Sequence, residues 1–366
     1  MIGGGVNLAA VCLIGMPPHA EKNAVKLEAM RRGANQTFLP NPQSIFRVLL
    51  IMTKTKIISF INYKGGVAKT TSTYHIGCWL AERKGKNVLL IDIDPQANLT
   101  FLCASVDRWQ ERRSETGTII DMYERFLDAK PLNAARYVWK TPICIQPEQY
   151  LPKIDLIPCD IDLIGKDVGS GKITGAYPSM ETLKRSAEQF LQDRSFLAQA
   201  IGEIKNDYDY ILVDCPPNLS LMTQNALLAS DYYVITAIPD HLSTIGLNTL
   251  IKKSEEIGEL VTHAAALTRQ KKEKYRFAEF GAALFVKVRI GGTRVTNAHE
   301  DKMDEIMDML GKDKCFKTHT TELIGYTEAA ENSLPVWHHG SDNARRAGEK
   351  QEYPEITDEF MDKFPS

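Results

Sequence analysis

No run of about 18 apolar residues occurs in the 366-residue chain, so no segment is long enough to cross a membrane as a helix. The seven cysteines, at 12, 78, 103, 144, 159, 215 and 315, are never closer than 15 residues. A Cys-x-x-Cys ribbon or cluster motif is thereby excluded, and reduced thiols of a cytosolic protein, packed as small core hydrophobes, are expected. Net charge is also small: 44 basic against 46 acidic residues leave −2 with histidine neutral. A globally basic nucleic-acid binder is excluded, and any such binding must come from a local patch. There is no internal repeat and no low-complexity tract. What is present is ordinary for a soluble globular protein with a full core: 43% hydrophobic and 25% charged residues. At ~150 residues per domain the length allows two domains, or one α/β domain with insertions.

The first 51 residues stand apart. Their apolar stretch, Leu8–Met16, has no basic residue before it and ends at Pro17-Pro18, so it makes a poor secretory signal. We expect residues 1–51 to be a loosely attached extension with no DNA-reading role. Met52 is expected as an alternative start, with the folded domain opening near Lys54. From there buried runs alternate with helical stretches. Ile57–Asn62, Asn87–Asp94, Tyr210–Asp214, Tyr233–Ile238, Ala283–Val288 and Cys315–Thr318 read as strands. Lys69–Arg83, Ser195–Ile204, Met222–Ala229, Thr244–Ile257 and Glu300–Leu310 read as helices. Near-continuous apolar strands alternating with helices predict an α/β fold, a mostly parallel twisted sheet with helices on both faces. The domain is expected over 52–350, with insertions within 104–195 and an acidic tail at 351–366.

The segment between the first strand and the first helix, Lys64-Gly65-Gly66-Val67-Ala68-Lys69-Thr70-Thr71, is the most informative. Glycines there let backbone N–H groups approach phosphate oxygens, and the following helix turns its positive end on the same anion. Lys69 can reach the β- and γ-phosphates, and the Thr70 hydroxyl can ligate Mg²⁺. The common G-x-x-x-x-G-K-[ST] pattern is not met, because Tyr63 and Ala68 stand at its glycine positions. An additional lysine, Lys64, is present. Asp92 and Asp94 close the second strand, and Asp214 closes the strand Tyr210–Asp214. A single strand-end aspartate is usually a turn former or cap. Three of them beside a phosphate loop, at the carboxyl edge where open α/β sheets bind ligands, read as a nucleotide site.

These residues resemble the ParA-type partition ATPases, a deviant Walker A group of P-loop proteins, over roughly residues 55–345. Lys64–Thr71 is similar to the family's phosphate loop. Val88–Thr100 (VLLIDIDPQANLT) is similar to its second-strand motif, and Ile154–Leu163 (IDLIPCDIDL) to a further segment. Tyr208–Leu219 (YDYILVDCPPNL) is similar to its Walker B segment. Asn225–Asp231, Pro239–Leu247, Phe316-Lys317-Thr318 and Glu328-Ala329 continue the likeness. The resemblance implies ATP and Mg²⁺ as ligands and hydrolysis of ATP to ADP and phosphate. It implies that Lys69 binds the β- and γ-phosphates and that Gly65, Gly66, Val67, Ala68, Thr70 and Thr71 cradle them. Lys64 would reach the nucleotide of a partner subunit, so ATP would join two protomers. Thr70 would ligate Mg²⁺, with Asp214 and Asp92 held to it through water, and Asp94 would position the attacking water. Thr321, where the family commonly has proline near the adenine, and His241, where it commonly has an aromatic, depart from the pattern.

The resemblance further implies a cytoplasmic, nucleoid-associated homodimer on non-specific DNA, with a ParB-like or cargo-adaptor partner that stimulates hydrolysis. Residues 269–294 hold eight basic against two acidic residues, a net +6. Lys271, Lys272, Lys274, Arg289 and Arg294 are the candidate phosphate contacts, Arg294 foremost. Two alternatives belong to the same superfamily. A membrane-borne division-site ATPase would end in a basic amphipathic helix, whereas Glu352–Lys363 carries five acids against one lysine, so no membrane partner is expected. A nucleotide-gated regulatory or iron–sulfur carrier protein would need a second cysteine in a matching motif beside Cys215. His338-His339 reads as a surface turn rather than a metal site.

Overall fold

The strand sequences explain the sheet. Tyr210–Asp214 and Val88–Asp92 are buried at every position, as expected of strands covered on both faces. In the computed structural model, which describes residues 55–161, 179–291 and 294–366, these are β7 and β2 of a seven-stranded sheet. The other members are β1 (Lys56–Ile61), β3 (Trp139–Lys140), β6 (Ile154–Ile157), β8 (Tyr232–Ala237) and β9 (Glu279–Phe285). Their order is β3-β6-β2-β7-β1-β8-β9, parallel throughout except for the edge strand β3. Two antiparallel hairpins lie outside the sheet, β4 (Cys144–Gln146) with β5 (Gln149–Tyr150), and β10 (Ile290–Gly291) with β11 (Arg294–Val295).

Strand alternation divides the core into two layers. Ile57, Ile61, Leu89, Ile91, Ile211 and Val213 point to one face, and Ile58, Phe60, Val88, Leu90, Tyr210 and Leu212 to the other. The first face is covered by α4 (Ile119–Leu127), α7 (Phe196–Ile204), α8 (Leu221–Ala229) and α9 (His241–Leu267). The second is covered by α1 (Lys69–Glu82) and α13 (Glu352–Lys363). Between these in the chain lie α2 (Asn98–Cys103), α3 (Val106–Thr116), α5 (Ala134–Tyr137), α6 (Met180–Asp193), α10 (Asn297–Leu310), α11 (Ile324–Glu331) and α12 (Asp342–Glu349). The expected extension 1–51, and residues 162–178 of the region 104–195 where insertions are expected, lie outside the described residues.

Several elements differ from expectation. Cys315–Thr318 is not a strand; the segment after α10 meets β9 through the isolated bridge Ala283–Cys315 and the backbone bonds of Phe316 and Thr320 to the Ala283 and Phe285 carbonyls, and a second bridge, Val288–Thr321, lies beyond β9. β9 begins four residues earlier than the apolar run suggested and ends at Phe285, and Lys287 lies beyond it in the left-handed region, φ 52°. Helix α9 runs ten residues past Ile257. The largest difference is at the C-terminus. The acidic tail is a packed helix, α13, whose Tyr353, Ile356 and Phe360, together with Phe364 just past its end, are buried. Their spacing places them on one helix face. Phe360 stacks on Phe60 of β1, 6.4 Å between centroids and 10° between planes. Two of the acids serve the fold. Glu359 accepts from the backbone N–H groups of Lys317 and Thr318, and Glu352 from that of Thr321. Residues 53–366 accordingly form one compact unit that includes this helix. Phe360→Ala is expected to cost about 3–5 kcal/mol, read by denaturant unfolding; a solvated tail would give no change.

Candidate nucleotide site

The phosphate loop follows β1 directly and is anchored at its start. Asn62 Nδ2 donates to the Thr236 carbonyl at 2.5 Å, and its Oδ1 accepts the Lys64 N–H at 3.0 Å. Gly66 adopts φ 73°, and a Cβ added at Gly65 or Gly66 would meet nothing within 4 Å. The loop therefore presents bare backbone to open space. Val67 is buried beneath it. Ala68, in the glycine position of the common pattern, takes the same left-handed geometry, φ 52°. Its Cβ strains the turn by about 1–2 kcal/mol. As N-cap of α1 it has no side chain to cap the helix, so the first-turn N–H groups are left for a ligand.

Lys69 opens α1 and is buried, its Nζ 3.4 Å from the Lys64 carbonyl. Thr70 beside it donates its hydroxyl to Asp214 Oδ2 at 2.6 Å. Asp214 and Asp92 are register partners at the ends of β7 and β2, both fully buried. Asp92 Oδ2 accepts from the Thr100 N–H and hydroxyl at 2.8 and 2.7 Å, and Oδ1 accepts the Asp94 N–H at 3.1 Å. Asp94 Oδ1 in turn accepts the Gln96 N–H at 3.0 Å. Burial pushes both Asp92 and Asp214 above the usual carboxylate range. Next comes the repulsion of Asp92 for Asp214, while Thr70 and Lys69 act in the opposite sense on Asp214. Asp214 Oδ1 is buried with no hydrogen-bond partner. Crowded carboxylates with an orphaned oxygen beside a threonine hydroxyl fit a hard divalent cation, which takes oxygen ligands and would relieve the repulsion.

The sequence-predicted residues Lys64, Lys69, Thr70, Asp92, Asp94 and Asp214 thus converge on one end of the sheet. Thr71 contributes its carbonyl to His75, which was not singled out. His75 Nε2 accepts the Val336 N–H at 3.2 Å, so the proton is on Nδ1, which donates to Thr71 O at 2.8 Å. The ring stacks on Tyr353 of α13, 4.7 Å and 11°. Burial lowers its pKa from 6.5 to about 4. Because the unfolded chain binds this proton more readily, the contribution of neutral His75 to stability is complete above pH 6.5. It is lost as pH falls toward 4, a change of about 3 kcal/mol. Unfolding free energies of wild type and His75→Gln should therefore converge as pH falls through this window; a pH-independent difference would contradict the assignment.

Lys64 does not project freely. Its Nζ lies 2.9 and 3.1 Å from the Asp240 carboxylate oxygens and 3.3 Å from Ser243 Oγ, at the start of α9. Asp240 was not singled out, although it follows β8 within a segment that carries the resemblance. Thr100 was likewise quoted in a motif without a role. The five candidate DNA contacts do not form one patch. Lys271, Lys272 and Lys274 precede β9, whereas Arg289 and Arg294 follow it on the exposed β10–β11 hairpin. Seven strand residues separate the groups, roughly 20 Å. Arg289 and Arg294 lie on the nucleotide side, and Arg289 Nε is 3.7 Å from Glu322. His338 contacts Glu82 at 3.0 Å, and among the described residues it belongs to no group of three His, Cys, Asp or Glu side chains arranged to hold a metal ion.

A family model described as an AAA domain matches residues 55–266, more than half of the chain. A ParA family protein of Chlamydia pneumoniae is 34% identical over 195 residues, 53% of this chain and 63% of that protein. The chain belongs to the ParA-type partition ATPases. The chromosome partitioning protein ParA of Caulobacter vibrioides is 31% identical over 202 residues, 55% of this chain. The chain matches 63% of the length of these ParA relatives. A Cyanothece McdA solved with ATP superimposes with a TM-score of 0.58 at 16% identity, over 84% of this chain and 96% of that one. At that identity the likeness speaks for the shared ParA-type fold, whose sheet carries the phosphate loop on β1 and the acidic strand ends on β2 and β7.

Proposed function

We propose that the chain is a Mg²⁺-dependent ATPase that dimerises on ATP, binds DNA without sequence preference, and segregates plasmid or chromosome DNA or positions a protein cargo. It would act in the cytoplasm on the nucleoid, with a small partner protein stimulating hydrolysis. The observation that carries this reading is the convergence of Lys69, Thr70, Asp92, Asp94 and Asp214 around an open backbone cradle, with Asp214 Oδ1 left without a partner. Phosphoryl transfer asks a protein for placement and charge neutralisation more than covalent chemistry.

In this reading the loop N–H groups and the α1 terminus hold the β-phosphate, and Lys69 spans to the γ-phosphate. Thr70 and Asp214, with Asp92 behind, would hold Mg²⁺, which supplies neutralisation of the phosphate oxygens. Asp94 orients the attacking water: its Oδ1 is engaged by Gln96, and Oδ2 makes no hydrogen bond among the described residues. Lys64 of one protomer would meet the nucleotide of the other, so loss of the γ-phosphate on hydrolysis would release the pair. Light scattering should show dimers with ATP and Mg²⁺ and monomers with ADP. Absence of both turnover and ATP-dependent dimers would remove the reading.

The two basic groups give distinct expectations for DNA. Arg289 and Arg294 share the nucleotide side of the sheet, so their contacts are the ones a nucleotide-dependent dimer would bring together. Arg289→Ala with Arg294→Ala should weaken ATP-dependent DNA binding about ten-fold and lower the salt slope by about 2, with ATP affinity unchanged. Equal retention in fluorescence anisotropy would move the footprint to Lys271, Lys272 and Lys274.

A further inference from the structure

The ammonium of Lys64 has three protons to donate, and three acceptors of its own chain surround it: Asp240 Oδ1 at 2.9 Å, Asp240 Oδ2 at 3.1 Å and Ser243 Oγ at 3.3 Å. A lysine held in this way must leave these acceptors before it can reach a second protomer. Asp240 holds its position independently of Lys64, because it is the N-cap of α9 and its Oδ1 accepts the Ser243 N–H at 2.6 Å. Capping alone does not require a carboxylate, since asparagine caps as well as aspartate. Besides its favourable place at the helix N-terminus, the charge at position 240 pairs with Lys64. The surrounding surface is uncovered: Leu242 and Ile245, within the first five residues of α9, are 66% and 58% exposed.

We propose that Asp240 is a positioning residue that clamps Lys64 within its own protomer, so that dimerisation requires the nucleotide of a second protomer to take the lysine away. This rests on the ATP-dependent dimer proposed above. The competing groups differ in charge. A carboxylate offers a single negative charge, whereas the γ-phosphate end of ATP offers more and lies one phosphate farther out than the end of ADP. The clamp thus opposes dimerisation in both nucleotide states, and the triphosphate, with the stronger hold on the lysine, overcomes it more readily than the diphosphate. Each dimer opens two clamps, one per protomer, so the effect on dimer affinity is the square of one clamp's strength. The pair is partly exposed, 33% for the lysine and 42% for the aspartate side chain. Such a pair is worth about three-fold, giving about ten-fold for two.

The test is the dimer dissociation constant from sedimentation equilibrium, measured with a saturating non-hydrolysable ATP analogue and Mg²⁺, and again with ADP. The proteins are wild type, Asp240→Asn, Ser243→Ala and Lys64→Ala. Asp240→Asn keeps the cap and is expected to dimerise about ten-fold more tightly with the analogue, with measurable dimer also in ADP. Ser243→Ala removes one acceptor and keeps the capped backbone N–H, so a smaller shift in the same direction is expected. Lys64→Ala should not dimerise. Asp240→Asn that melts like wild type yet dimerises equally or less tightly would overturn the clamp. Absence of analogue-dependent dimers in wild type would instead overturn the dimer reading on which it rests.

Discussion

Asp94→Ala should lower ATP turnover at least about 10²-fold while leaving ATP-bound dimers intact or more abundant. The expectation follows from where the carboxylate sits. Asp94 is nearly buried, and its backbone N–H and one oxygen are engaged by Asp92 and Gln96. Its charge adds to the repulsion felt by Asp92 and Asp214. Deleting it removes a negative charge beside an anionic ligand, so binding gains or holds while the group that orients water is gone. Chemistry and binding thus separate in one variant. Single-turnover hydrolysis and light scattering measure the two, and wild-type turnover would sink the assignment.

Lys69→Ala should act on the other half of that separation. The side chain is 6% exposed, and its charge favours ionisation of Asp214. Without it the carboxylates face the triphosphate with one fewer cation. Truncating one partner of a buried charge pair typically costs 2–5 kcal/mol, so ATP affinity should fall about 10²-fold or more. The thermal stabilisation by ATP seen for wild type should disappear with it. Calorimetric binding within a few-fold of wild type would show that Lys69 does not meet the phosphates.

The phosphate loop and the acidic strand ends were legible because backbone demands dictate them. A bare-glycine turn, a lysine at a helix start and aspartates ending buried strands leave few other uses for those residues. Elements set by tertiary context were not. Ile154–Ile157 is only four residues long and includes Asp155, so it carries a weak strand signal, yet it pairs in register with β2. The helix at Glu352–Lys363 was masked by its acids: counting charge marked it only as an acidic tail, whereas Tyr353, Ile356 and Phe360 repeat at helical spacing. The basic run at 269–294 looked continuous because sequence distance hides the strand that divides it. The Lys64–Asp240 contact joins residues 176 positions apart, and nothing in either local sequence specifies that pairing.

In the proposed reading, nucleotide state controls attachment to DNA. That control is tested most directly by retention of the wild-type protein on a non-specific duplex, with ATP and Mg²⁺ or with ADP, across a salt series. Retention with ATP alone, weakening steeply as salt rises, is the predicted result. Equal retention in both nucleotides, or none in either, would contradict it.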